Sequence, residues 1–167
     1  MAIGIFREFY TFLAKMGLVV TDDAKKVISA EGREWGPVLG DLALSVQNLP
    51  SFDSDAQPEI TVVIRNRGKT SHTLHVPGWL FYFDYEVETM SGIRVAPGPF
   101  GRQLLQPGRK TEQLEIPLAP GAHAATEIPI GSLFGLRAGT PYRIRLRAGN
   151  LVSNEVTVGP ARGEKRP

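Results

Sequence analysis

The 167-residue sequence contains no cysteine. This absence excludes a disulfide framework, a thiolate nucleophile, a cysteine-ligated zinc site and an iron–sulfur cluster. It leaves the cellular compartment open, because exported domains without cysteine also exist.

Histidine is scarce as well, with three in the chain, and the three are not clustered in the sequence. His72 and His75 lie three positions apart on a predicted strand, so their side chains are expected to point to opposite faces. His123 stands alone beside a predicted turn. We therefore expect no metal site. No glycine-rich phosphate loop follows a predicted strand, and we expect no cofactor.

The surplus of charge is small, because 19 basic and 17 acidic side chains leave a net charge of +2. Much of the basic surplus lies near the C-terminus. A nucleic-acid-binding protein usually carries a denser basic patch interleaved with stacking aromatic rings. The composition therefore argues against a nucleic-acid partner.

A long uninterrupted hydrophobic run is also missing. Residues 3–20 are apolar, but Arg7, Glu8 and Lys15 interrupt them. They lack the core of a signal peptide and the ~20 apolar residues of a membrane span. We expect no export signal and, by default, a cytoplasmic protein. Contact of residues 3–20 with a membrane is an alternative that we do not favour.

Within this segment the apolar residues recur at helical spacing, which predicts an amphipathic helix. The stripe consists of Ile5, Phe9, Phe12, Leu13 and Met16. A polar, glycine-containing stretch follows it. Residues 1–34 are therefore interpreted as a helical appendage and linker.

From Trp35 onward the pattern changes to short strand-like runs bounded by proline and glycine. These runs predict an all-β fold, an immunoglobulin-like antiparallel β-sandwich of about seven strands over residues 35–160. The predicted strands fall at residues 42–47, 59–66, 72–76, 79–88, 111–118, 124–130, 142–148 and 155–158. A helical turn capped by Ser132 is expected at residues 132–136, and no helix after Gly98-Pro99-Phe100-Gly101. The charged residues 161–167 predict a disordered tail.

Several short motifs in this region occur in an order that resembles a widespread group of bacterial immunoglobulin-like domains of unassigned function. The motifs are Glu34-Trp35-Gly36-Pro37, Gly40-Asp41-Leu42-Ala43-Leu44, Val62-Val63-Ile64-Arg65-Asn66, Leu118-Ala119-Pro120-Gly121, Ser132-Leu133-Phe134, Gly139-Thr140-Pro141-Tyr142 and Ser153-Asn154-Glu155-Val156. The resemblance covers about residues 35–158 and implies a sandwich fold without a specified activity.

The middle of the chain also resembles bacterial intracellular proteinase-inhibitor domains. The matching features are a strand ending in Asn66, then Phe83-Asp84-Tyr85-Glu86-Val87, then Pro107-Gly108 before the next strand. This second resemblance implies a proteinase inhibitor that would use residues 96–102 as its inserted element. A shared fold does not by itself carry function.

No pattern indicates catalysis. Asp84 and Glu86 share one face of a predicted strand, about 7 Å apart at their Cα atoms, and a solvated or salt-bridged pair explains them better than acid–base chemistry. No serine lies in a Gly-x-Ser-x-Gly context. Tyr142 matches the position of the structural tyrosine corner, whose hydroxyl bonds to backbone upstream. We therefore expect a protein that is not an enzyme.

Two groups of residues are candidates for binding a partner. Arg143, Arg145 and Arg147 alternate along one strand and line one face, either as a solvated surface or as a contact for an acidic partner. The aromatic cluster consists of Trp79, Phe81, Tyr82, Phe83, Tyr85 and Phe100. Its rings either lie under the N-terminal helix, which we favour, or form an exposed ligand patch.

These observations favour a non-catalytic protein-interaction or structural module, whose partner is expected to be another protein. A proteinase inhibitor is one alternative. A carbohydrate-binding sandwich that stacks sugars on Trp79 and Tyr82 is the other. The pattern does not indicate an oligomeric state.

Overall fold

The computed structural model describes residues 28–49, 57–106 and 113–159. The predicted N-terminal helix within residues 1–27 and the predicted tail at residues 161–167 lie outside the described residues.

The described residues form nine β-strands and three short helices. In chain order these are β1 (Leu42–Leu49), β2 (Glu59–Asn66), β3 (His72–Val76), α1 (Trp79–Tyr82), β4 (Asp84–Thr89), α2 (Pro99–Leu104), β5 (Leu114–Leu118), β6 (His123–Ile128), α3 (Ile130–Phe134), β7 (Tyr142–Ala148), β8 (Leu151–Val152) and β9 (Val156–Val158). The chain is therefore mainly β, as predicted.

The strands pair antiparallel in three sheets, an arrangement consistent with an all-β sandwich. One sheet has the order β1-β2-β6, and a second has the order β4-β7-β8 with β9 also paired to β7. Strands β3 and β5 form a separate pair. Alternate residues of these strands point inward and form one core, which includes Leu44 of β1, Ile64 of β2 and Ile144 of β7.

The segment after β8 joins the first two sheets along the edge of β1. Leu44 forms an isolated parallel bridge with Ser153. The side-chain amide of Asn154 then accepts a hydrogen bond from the N–H of Val46 at 2.8 Å and donates one to the Val46 carbonyl at 2.9 Å. This amide therefore takes the place of a neighbouring strand and satisfies backbone groups that an edge strand leaves unpaired.

Residues 28–34, which the sequence assigns to the linker, lie against the outer face of the first sheet. The Arg33 guanidinium donates hydrogen bonds to the Ser45 hydroxyl at 3.0 Å and to the Thr61 carbonyl at 2.9 Å. Nε2 of His123 lies 3.0 Å from the Ile28 carbonyl oxygen. The outer side of this sheet is thus covered by the chain itself from Ile28 onward.

The aromatic run forms a strand only in its second half. Gly78 adopts a φ of 103°, which turns the chain, and Trp79–Tyr82 then form the single helical turn α1. The predicted strand at 79–88 is therefore wrong before Asp84. The error arises because consecutive aromatic residues carry no period-2 alternation to distinguish a strand from a helical turn.

Two further helices differ from expectation. Helix α2 forms where no helix is expected, and Pro99 takes the first helical turn, where its missing N–H costs nothing. Helix α3 begins at Ile130 after Pro129, so Ser132 lies inside it and does not cap it. The pattern of strand and turn residues carries little signal for helices of five or six residues.

Strand β8, which has two residues, matches none of the predicted strands, because the sequence places it in the turn between the last two. Tyr142 is buried, and its hydroxyl accepts a hydrogen bond from the backbone N–H of Arg137, five residues upstream, at 3.2 Å. That bond has the form expected of a tyrosine corner.

Candidate functional site

The aromatic cluster divides between the core and the surface. Trp79 and Phe83 are each 4% exposed and belong to the core, where their rings stack with centroids 6.1 Å apart. Only a small part of either ring reaches the surface, so neither offers a broad face for a partner to stack on. Phe100 lies on α2 and is 38% exposed. Tyr82 is half-buried and packs edge-on against Trp79.

Tyr85 links α1 to β4. Its hydroxyl donates a hydrogen bond to the Leu80 carbonyl at 2.8 Å. Burial raises the pKa of the Tyr85 hydroxyl well above its usual value, because the ionised form would lose its hydration. Tyr85 is therefore a neutral structural donor and is not poised to exchange a proton.

Beside these rings lies an open cleft of about 480 Å³, which we call the aromatic cleft. Its volume falls in the range of small-ligand and side-chain pockets. The wall on the side of α1 and β4 is formed by Leu80, Phe81, Phe83, Asp84 and Tyr85. The opposite wall and floor are formed by Arg94, Val95, Ala96, Pro97, Leu105 and Phe134.

The cleft forms where the two segments of a β-hairpin separate. After the turn at Ser91-Gly92, the chain returns along β4, with the Thr89 N–H donating to the Ile93 carbonyl at 2.9 Å and the Val95 N–H to Val87 at 2.8 Å. Beyond Val95 the chain leaves β4, because Pro97 has no N–H to continue the ladder.

The departing segment is held on α3 instead. The N–H of Gly98 donates to the Leu133 carbonyl at 2.9 Å. Gly101 packs against the same carbonyl so closely that a Cβ atom has no room there. These contacts between α2 and α3 therefore hold the second wall of the aromatic cleft in place relative to β4.

The rim carries one charge of each sign. Asp84 and Arg94 both line the cleft and are exposed, and neither forms an ion pair within the described ranges of the chain. Arg94 is paired by register with Glu88, so Arg94 and Asp84 lie on the outer face of β4 while Tyr85 points inward. The cleft thus combines an apolar interior with a bipolar outer rim.

The arginine face of β7 is neutralised by the chain's own glutamates. Arg143 contacts Glu88 at 3.4 Å, and Arg145 contacts Glu155 at 3.3 Å. Arg147 Nε donates to Glu86 at 2.6 Å. A partner with acidic groups would have to compete with these pairs, so the face offers little net positive charge. Of the two interpretations offered for Asp84 and Glu86, solvated or salt-bridged, Glu86 fits the second.

Loss of Arg147 is expected to raise the pKa of Glu86. The hydrogen bond from Arg147 is the largest cause of the lowered pKa of this carboxyl, followed in effect by the nearby charges of Arg147, Arg94 and Arg145. Because the folded pKa lies below the unfolded one, the interaction stabilises the fold above the ordinary glutamate pKa and is lost as pH falls through the folded value.

Titration of the Glu86 carboxyl by ¹³C NMR in Arg147→Ala measures this effect, with Arg102→Ala on α2 as the control. The pKa of Glu86 should rise toward its ordinary value in the first variant and stay unchanged in the second. An unchanged titration in Arg147→Ala contradicts the assignment.

Two of the histidines lie beside acidic side chains. His72 Nε2 lies 2.9 Å from Asp41, and this bond, with one from Thr70, lowers the pKa of the Asp41 carboxyl. His75 lies 3.7 Å from Glu115. Across the described ranges, no group of three or more histidine, aspartate or glutamate side chains is placed to hold a metal ion.

Several cleft residues were not predicted from the sequence. Arg94, Val95 and Leu105 carry no motif, and Phe134 falls in the motif Ser132-Leu133-Phe134, which points to no site; all four meet the aromatic residues only in the folded chain. One signal was available. Ser91-Gly92 is a turn dipeptide after a strand, which predicts that the residues following it return along that strand.

No protein-family model matches this sequence, and no curated protein matches it. None of the helices in the described part of the chain is both long enough and apolar enough to cross a membrane.

Proposed function

We propose that this protein is a non-catalytic interaction module, an immunoglobulin-like sandwich that binds an apolar segment of a partner protein in the aromatic cleft. The observation that carries the proposal is the cleft itself, whose apolar walls remain open at the surface between β4 and the segment 95–97. Binding sites are typically concave and lined mainly by apolar side chains with a few polar groups.

The lining chemistry favours binding over catalysis. The titratable groups of the cleft are Asp84, Tyr85 and Arg94. The Tyr85 hydroxyl is bonded to the Leu80 carbonyl, and Asp84 has no neighbouring acid or base in the cleft with which to form a catalytic pair. An apolar interior with charges only at its rim is the usual composition of a protein-binding surface.

The two alternatives have less support. A proteinase inhibitor that uses residues 96–102 needs an accessible extended segment, whereas Pro99–Leu104 are helical and Gly101 packs against Leu133. A carbohydrate-binding role needs flat exposed rings, whereas Trp79 is 4% exposed.

Selection of a random-peptide library on the full chain tests the proposal. We expect enrichment of peptides with apolar centres, whose binding is lost in Leu105→Glu because a carboxylate would enter the apolar wall. Thr157→Glu is the matched control, since it adds the same charge at an exposed position of β9. Circular dichroism and thermal melting of both variants confirm that they remain folded.

Two outcomes contradict the proposal. One is the absence of any enriched peptide. The other is binding that Leu105→Glu and Thr157→Glu change equally, because the peptides would then bind outside the cleft.

A further inference from the structure

The first described residue, Ile28, is fixed to the first sheet. Its carbonyl oxygen lies 3.0 Å from Nε2 of His123, and the carboxylate of Glu31 lies 3.4 Å from the guanidinium of Arg65. His123 begins β6, which lies at the edge of this sheet away from β1. The residues before Ile28 are therefore tethered to the fold beside β6.

The aromatic cleft is within reach of this tether. From His123 the chain follows β6 and then α3, whose last residue, Phe134, lines the cleft. This path is about 30 Å long, from the rise per residue of a strand and of a helix. Residues 17–27 span up to about 38 Å when extended. A segment that ends at Met16 can therefore reach the cleft from Ile28.

The sequence before this linker has the pattern of a groove-binding helix. Phe9, Phe12, Leu13 and Met16 stand at positions i, i+3, i+4 and i+7. This is the spacing of the anchor side chains with which an amphipathic helix binds an apolar groove. A helix with such a stripe must bury it against another element.

The cleft suits these anchors better than the other exposed apolar side chains of the described ranges. Val38 and Leu39 lie at the turn before β1, and Met90 and Ile93 lie at the hairpin turn after β4. The cleft instead offers apolar side chains on two opposite walls. An anchor that enters between two walls removes more apolar surface from water than one that lies on a turn.

Building on the proposed function, we infer that residues 5–16 of the same chain occupy the aromatic cleft when no partner is bound. A partner then binds by displacing them. Because the segment is tethered, it acts at an effective concentration that a free partner reaches only at high abundance or with stronger contacts. The segment therefore regulates the cleft by competing for it.

The lack of cysteine in the chain allows this contact to be measured directly. A Thr11→Cys variant carries one nitroxide label, at a position that a helix places opposite the anchors. We expect the label to broaden the amide signals of Val95, Leu105 and Phe134 in the ¹⁵N-labelled full chain, and that of His123 much less. Broadening that is strongest at His123 would show that the segment stays beside its tether, which overturns the inference.

A pair of variants in the labelled chain tests the role of the anchors. Phe12→Glu should abolish the broadening at the cleft, because a carboxylate is costly to bury between apolar walls. Ala14→Glu is the matched control, since it adds the same charge on the opposite side of the helix, and the broadening should persist. Equal loss in both variants contradicts the assignment of the anchors.

A mixed sample tests whether the segment binds within its own chain. Nitroxide-labelled chain without ¹⁵N is added to ¹⁵N-labelled chain without nitroxide. We expect no broadening at the cleft in this sample. Broadening there would show that the segment of a second copy fills the cleft, and the regulation within one chain would be wrong.

Peptide binding then separates this inference from the proposed function. Phe12→Glu should bind the library peptides at least about five-fold more tightly than the wild-type chain, and Ala14→Glu should bind them as the wild type does. If peptides bind both variants equally and the label leaves the cleft signals sharp, only the inference is wrong. If the label broadens them but no peptide binds even Phe12→Glu, the segment is a fixed part of the fold and the proposed function is wrong.

Discussion

Replacing Asn66 by alanine is expected to lower the free energy of unfolding by about 3 kcal/mol, because three backbone groups lose their partner at once. The side chain is fully buried. Its Nδ2 donates to the carbonyls of Thr70 at 2.7 Å and Leu118 at 3.0 Å, and its Oδ1 accepts from the Gly68 N–H at 2.9 Å. Alanine leaves these groups without bonds.

The effect should be large because Asn66 connects separate parts of the fold. Its side chain joins the turn before β3 to the end of β5, and its backbone N–H and carbonyl bond to Ala122 at 3.0 Å and Gly121 at 2.9 Å, two bonds that alanine keeps. The residue therefore holds the end of β2, the turn before β3 and the turn between β5 and β6 together. Few other single side chains could replace it, since the site needs two donors and one acceptor.

Urea denaturation of Asn66→Ala measures the loss, with Asn150→Ala as the control, because Asn150 is exposed in a turn. The control should change stability by less than about 0.5 kcal/mol. Asn66→Asp keeps the acceptor and loses both donors, and it should be nearly as destabilising at neutral pH. A loss in Asn66→Ala no greater than that of the control would refute the role assigned to the side chain.

Replacing Gly101 by alanine should also destabilise the protein by about 3 kcal/mol. The new methyl group would collide with the Leu133 carbonyl, a backbone group that cannot rotate away. The sign of the effect is informative. In a helix without this close approach, the same replacement would stabilise the protein by up to about 1 kcal/mol.

Gln103→Ala is the matched control, because Gln103 is exposed on the same helix. It should leave the melting temperature nearly unchanged. The Gly101 variant should in addition bind cleft peptides more weakly, since separation of α2 from α3 displaces Leu105 from the cleft wall. A Gly101→Ala protein that melts at or above the wild-type temperature would show that the two helices are not in contact.

Most of the strands could be predicted from local pattern. Residues 42–47 and 59–66 alternate apolar and polar side chains or carry β-branched runs, and both are strands in the structure. The conformation of such segments can be predicted from their own sequence, because apolar residues that recur with a period of two place one face of a strand against the core. The helical turn at residues 79–82 could not be predicted in this way. Its aromatic residues fit either conformation, and the turn at Gly78 decides between them.

Only part of the candidate site could be predicted from the sequence. Phe81, Phe83 and Tyr85 lie within the aromatic cluster that the sequence singles out, and they line one wall of the cleft. The other wall comes from Val95 and Leu105, which are separated from the cluster by a hairpin turn and a helix. Their contribution depends on where the chain leaves β4, which no local pattern encodes.

The arginine face shows the same division. The sequence alone determined that Arg143, Arg145 and Arg147 share one face, because strand geometry fixes alternation. Only the tertiary structure decided that this face is neutral, since the register of β4 against β7 brings Glu86 and Glu88 alongside it. The alternation of side chains between two faces is a property of one strand, so it follows from the sequence of that strand alone. Register is a property of two segments brought together, and packing of the whole chain sets it.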